Sequence, residues 1–181
     1  ASMIFEELMN KLKRITSEYI EAEDRIRIAG LTEKDEPLSL WFTMRLTSRL
    51  VTHCIALLAE HGSELKKTAT NDERLKNNLQ GMVQQSAEQD LIEELAVSVT
   101  ENSPSLLIRE IDIKTSDGRV VMTFKEDETS SYELCLEGQQ LRQWLGMLYL
   151  IWQKAEWPPH VWPDWMDKSK RNEVSEETSI H

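Results

Sequence analysis

Apolar and polar residues alternate with period two over three short stretches near the start of the chain. They read ITSEYI from Ile15, RIRIAG from Arg25 and PLSLWF from Pro37, separated by the turns EAED and TEKDE. Strict alternation marks half-buried strands, and it puts Ser17 and Tyr19, then Ile26 and Ile28, then Leu38, Leu40 and Phe42 on one face. At Thr43, a helix N-cap residue type, the period changes to that of a helix. In MRLTSRLVTHCIALLAEH, residues Leu46, Leu50, Cys54, Leu57 and Leu58 form one apolar stripe, and Gly62 is a stop signal.

The pattern then recurs. The displacement that carries Tyr19 onto Ile113 also carries Ile26 onto Val120, Ile28 onto Met122, Leu38 onto Tyr132, Leu40 onto Leu134 and Phe42 onto Leu136. EAED falls on TSDG, where Asp117-Gly118 is a two-residue hairpin signal, and TEKDE falls on the equally acidic KEDETS. A second helix follows, one residue out of step, with Leu141, Leu145, Leu148, Trp152 and Ala155 as its stripe. The predicted fold class is α+β: internally duplicated β-β-β-α units, each an antiparallel meander followed by a helix. Such a duplication predicts a pseudo-two-fold, with two helix-covered meanders packed together.

The expected organisation is a single domain over residues 1–166. Unit one covers 14–62, a helical connection 63–104, unit two 105–157 and a C-terminal strap 158–166, with a mobile tail over 167–181. An N-terminal helix is expected from Met3 to Lys13, with Ile4, Leu8 and Leu12 on its apolar side. In the connection, Thr70 or Asn71 is the expected cap of a helix opening with Asp72 and Glu73. Leu75, Leu79, Met82, Val83, Leu91, Ile92 and Leu95 recur at helical spacing, in one bent helix or two, and Ser103-Pro104 closes the segment.

The formal net charge is −11, which repels nucleic acid and anionic membrane surfaces. The acids are unevenly spread: Glu88, Asp90, Glu93, Glu94 and Glu101 fall in a stretch with no Lys or Arg. No apolar run reaches the ~18 residues of a membrane span, and no secretory signal opens the chain. The two cysteines, Cys54 and Cys135, have no CxxC spacing and sit in apolar patterns, so reduced thiols and a cytoplasmic location are expected.

No catalytic, cofactor-binding or metal-ligating set stands out. His53 and His61 do not have the i, i+4 spacing of helical ligands, and Cys54 and Cys135 have no nearby base in a nucleophile motif. The acidic turns lack the alternating ligands and glycine of a calcium loop. The expectation is therefore a non-enzymatic accessory or interaction protein, its partner another protein or a second copy of itself. Two alternatives are an enzyme without a recognisable motif and a single-strand nucleic-acid binder. For the latter, the outward face of the first meander carries Thr16, Glu18, Ile20, Arg25, Arg27, Ser39 and Trp41, with Arg119 on the matching face of the second. Trp41 would be a stacking platform and the arginines phosphate ligands. This element order is similar to that of Pur-alpha and whirly-type single-strand binders, which also duplicate a meander plus helix. Their repeats have an additional strand and share no motif with this chain, so the resemblance implies a fold and a binding face and nothing finer.

The stretch WPPHVWPDW, residues 157–165, holds three of the six tryptophans and three of the five prolines. Proline disfavours helical geometry in the residue before it, so the second helix must end before Pro158. The prolines predict an extended strap, of polyproline II type, that lays Trp157, Trp162 and Trp165 across a neighbouring surface. Those three residues are the candidate partner-binding site. The competing expectation is that they are buried as the end of the fold.

Overall fold

The computed structural model describes residues 10–61 and 72–171. The α+β class is observed: seven strands and several helices, whose contacts divide the chain into two compact units. One holds residues 1–50 and 93–138, the other 51–92 and 139–181.

The first unit is built on one sheet of order β4-β3-β2-β1-β7-β6-β5. Its strands are β1 (Lys11–Ile20), β2 (Arg25–Thr32), β3 (Pro37–Phe42), β4 (Ser105–Leu107), β5 (Glu110–Ser116), β6 (Arg119–Lys125) and β7 (Ser131–Glu137). Both meanders are antiparallel, and their second hairpins share a register: Ile26 faces Phe42 as Val120 faces Leu136, and Ile28 faces Leu40 as Met122 faces Leu134. The first hairpins differ. Ile20 pairs with Arg25 across a four-residue loop closed by Asp24 at φ 48, whereas Ser116 pairs with Arg119 across Asp117-Gly118, both at positive φ as a type I′ turn requires.

The two meanders join in one continuous sheet. β1, the first strand of one meander, runs parallel to β7, the third strand of the other, through Lys11↔Glu133 and Leu12↔Leu134. This junction sets the meanders side by side in tandem within the sheet. The expected N-terminal helix is corrected at its end. Lys11–Lys13 are strand, because Leu12 is buried opposite Leu134, and the rest of that expectation lies outside the described residues.

The two margins of the sheet, β4 and β5, are successive in the chain. Between them Ile108 N–H donates to the Trp41 carbonyl on β3, 3.0 Å, and Arg109 N–H donates to the Lys125 carbonyl on β6, 2.8 Å. One strand thus switches partners and rolls the sheet shut at that end. Inside lie Ile26, Ile28, Leu38, Leu40, Phe42, Leu106, Ile108, Met122, Phe124 and Leu134, all buried.

The second unit contains most of α1 (Met44–His61), α2 (Glu73–Gln89) and α3 (Gly138–Lys154). The expected stripes of α1 and α3 are buried at Leu50, Cys54, Leu58, Leu141, Leu145, Leu148 and Trp152. The Gly62 stop lies outside the described residues. α2 departs from expectation at both ends. Its N-cap is Asp72, whose carboxylate accepts from Arg74 N–H, and Thr70 and Asn71 lie outside the described residues. It ends at Gln89, so Leu91, Ile92 and Leu95 are non-helical and exposed. Acids at its C-terminal end, Glu88 and Asp90, oppose the helix dipole.

α2 also buries Gln80, Gly81, Gln84 and Ala87, while Leu75 and Met82 face out. The reason is Arg142, buried on α3 with a pKa lowered to about 10 by that burial. It donates to Gln80 Oε1, 2.6 Å, and Gln84 Nε2 donates to the Arg142 carbonyl, 2.8 Å. A leucine face would leave those groups without partners. Gly81 leaves room for the Arg171 stem at 3.1 Å from where its Cβ would be. Arg171 in turn bonds the Gly81 carbonyl and Glu88. Residues 168–171 are therefore a docked helical turn and not a mobile tail; residues beyond 171 lie outside the described residues.

Candidate functional site: a tryptophan and proline groove

α3 ends in a complete Schellman motif. Glu156 takes the left-handed conformation at φ 57, its N–H donates to the Gln153 carbonyl, 3.1 Å, and Trp157 N–H donates to the Trp152 carbonyl, 3.2 Å. The apolar contact that accompanies this motif is made by two indoles, Trp152 and Trp157, edge to face at 4.9 Å. Trp152 Nε1 donates to the Pro158 carbonyl, 2.9 Å, which fixes the first residue after the motif. Glycine is the usual residue at the left-handed position, since a Cβ there costs about 1 kcal/mol; this chain has glutamate.

The expected polyproline II strap is interrupted: Pro158 and Pro163 are extended, at ψ 125 and 155, but 3₁₀ turns break the run. Pro159 opens a 3₁₀ turn over Pro159–Val161, and Pro163 precedes a second over Asp164–Met166. The fixed proline φ suits the start of a helical turn as well as an extended segment. These turns fold the segment back onto α3. Trp162 sits edge to face with Tyr149 at 5.2 Å and with Trp152 at 5.8 Å, and Trp165 lies against the Arg142 guanidinium at 5.7 Å. Trp157, Trp162 and Trp165 are 7%, 8% and 7% exposed.

Two of these indoles, Trp157 and Trp162, still contribute to the wall of a groove of about 400 Å³ with Tyr149, Trp152, Pro159 and Pro163. Its polar residues are Gln153, Glu156, Asp164, Asp167 and Lys170. Lys170 is paired with Asp164 at 2.9 Å. Asp167 caps the terminal turn through Ser169, and those hydrogen bonds hold its carboxyl below the usual range. With three carboxylates against one ammonium, the groove is acidic. Trp165 is not part of it.

The other sequence candidates are distributed as follows. Glu18, Arg27 and Trp41 are cross-strand neighbours on the outer face of the first meander. Arg27 is ion-paired with Glu18 and lies 5.9 Å from the Trp41 ring, and the Trp41 N–H donates to Ser105 Oγ, 2.8 Å. The segment after α2 crosses this face: Val97 is buried there, and its N–H donates to Thr16 Oγ1, 2.9 Å. Arg25 is two residues along β2 from Arg27. Arg119 stands on β6, three strand positions from β2 or about 14 Å, beside Glu137. The structure therefore brings Arg27 and Trp41 together and leaves Arg119 apart. Cys54 is fully buried, which pushes its thiol up to about 12, and Cys135 is exposed on β7. A thiol held protonated is a poor nucleophile. Among the described residues, no three His, Cys, Asp or Glu are grouped to hold a metal ion, and no helix is long and apolar enough to cross a membrane.

All three tyrosines titrate above their ordinary value. Tyr19 is raised to about 12, first by its hydrogen bond to Asp24, while Tyr132 and Tyr149 are raised first by burial. Absorbance at 295 nm is therefore expected to show tyrosinate less than half formed at pH 10. Half-ionisation there would mean that the Tyr19–Asp24 bond and the partial burial of the other two are absent in solution. No protein-family model matches the chain, and neither does any curated protein or solved structure.

Proposed function

We propose that the chain is a non-enzymatic interaction protein that takes a basic peptide segment along the tryptophan and proline groove. The observation that carries this reading is Glu156. It projects from a backbone position that favours glycine, on the lining of an aromatic groove already rich in carboxylates. Local strain of this kind persists where it serves a site. The rigid walls suit the proposal as well. Indoles locked edge to face and prolines of fixed φ lose little freedom on binding, and the stem of a lysine or arginine can lie along them with its charge at the acids. The whole chain's negative charge would speed encounter with a basic partner.

The test is a titration of the protein with a short Lys/Arg-rich peptide, followed by tryptophan fluorescence, with a Glu-rich peptide as control. Saturable binding of the basic peptide alone is expected. Glu156→Gly is expected to raise the unfolding midpoint, because it relieves the left-handed strain, while weakening binding about fivefold through the lost charge. A variant that is stabler and binds equally well would show that Glu156 is only a helix end. No saturable binding of the basic peptide would end the proposal.

A further inference from the structure

Among the described residues, each margin of the sheet has one neighbour: β4 pairs with β3 alone and β5 with β6 alone, but β4 offers three residues of free edge and β5 seven. Within the chain, the meanders are joined by a parallel contact between the first strand of one and the third strand of the other. The same joint between two chains would set β5 of one against β3 of the next and would propagate without end. β4 occupies the edge of β3 and blocks it, and its own outer edge of three residues is too short to match the seven of β5. What remains for β5 is a self-complementary contact about a two-fold axis, which closes after two copies.

The sequence of β5 fits that contact in one register. The two-residue hairpin makes Ser116↔Arg119 a hydrogen-bonded pair, so Glu110, Asp112, Lys114 and Ser116 direct their backbone groups to β6. Ile111, Ile113 and Thr115 direct theirs to the free edge. An antiparallel pairing must therefore match members of that second set. Centred on Ile113, it pairs all seven residues of the strand. It places Asp112 of each copy opposite Lys114 of the other, and Ile111 opposite Thr115. Sliding one step of the hydrogen-bond pattern in one direction sets Asp112 against Asp112; in the other it sets Lys114 against Lys114. Like charges directly opposite are destabilising. The strand has neither proline nor an internal bulge to deter pairing, and Ile111 and Ile113 are only half-buried. We propose that the chain forms a homodimer in which the β5 strands of two copies pair antiparallel about Ile113, with reciprocal Asp112–Lys114 contacts.

Sedimentation equilibrium on the full chain at tens to hundreds of micromolar is the test. The wild type is expected to be a dimer. Ile113→Pro removes an N–H from the free edge and none from the β6 ladder, so it is expected to give a folded monomer with an unchanged far-ultraviolet spectrum. Lys114→Asp alone sets acids opposite acids at both ends of the pairing, and Asp112→Lys alone sets lysines opposite lysines. Each is expected to weaken the dimer about tenfold or more. Mixing the two variants restores opposite charges at both positions and is expected to restore a heterodimer. Asp112 also pairs with Lys125 at 2.5 Å, so a thermal melt of Asp112→Lys checks that its meander survives. A wild type that stays monomeric, or a dimer that persists in Ile113→Pro and Lys114→Asp, overturns the assignment.

Discussion

Trp152→Ala is expected to destabilise the protein by about 3–5 kcal/mol, read as a drop in the urea midpoint at unchanged slope. Three consequences act together. The indole is 1% exposed, so its removal leaves a cavity of nearly its whole volume. It is the ring on which both Trp157 and Trp162 rest, so two further aromatics lose an edge-to-face partner. Its N–H is the donor to the Pro158 carbonyl, and that carbonyl is left without it. Trp152→Phe keeps most of the packing and loses the hydrogen bond, and about 1–2 kcal/mol is expected. Acrylamide quenching separates the local effect from global loss. In the wild type, Trp157, Trp162 and Trp165 should all be protected. In Trp152→Ala, Trp157 and Trp162 should become accessible first, since Trp165 is held independently by Arg142 and α2. A loss below about 1 kcal/mol would mean that the segment after α3 is not anchored through this ring.

What could be read from the chain was what local chemistry decides. Period-two alternation placed β2, β3, β6 and β7, and Asp117-Gly118 named its hairpin because a type I′ turn needs two positive φ angles. The stripes of α1 and α3 were legible because leucines faced inward at helical spacing. α2 is the opposite case. Its leucines, Met82 and Val83 recur at helical spacing, yet Gln80 and Gln84 are inside, because a buried arginine on another helix bonds their amides. No local pattern shows a need that lies at the other end of the sequence. β4 has three residues, too few for a periodic signal, and Lys11–Lys13 fit a helix until Leu12 meets Leu134. The groove was half legible. WPPHVWPDW drew notice by composition, but nothing marked Glu156, since a left-handed residue is foreseen only where glycine or asparagine stands.

The roll of the sheet is the feature most remote from any local pattern, and Phe42 and Phe124 measure it. They belong to β3 and β6, four positions apart in the strand order, which in a flat sheet is about 19 Å. Their ring centroids are 5.2 Å apart at 68°, and neither ring is exposed. Either residue changed to alanine is expected to cost about 3–5 kcal/mol. Those losses alone would not report the roll, because any buried phenylalanine gives as much. The coupling does. The double variant is expected to lose about 0.5–1.5 kcal/mol less than the two single losses added together, since the edge-to-face contact can be lost only once. Residues with no shared contact add to within about 0.5 kcal/mol. Additivity in this cycle would therefore place the two rings apart and open the sheet. Coupling would show that Ile108 and Arg109, by exchanging β3 for β6 as their hydrogen-bond partner, close the two meanders around one core.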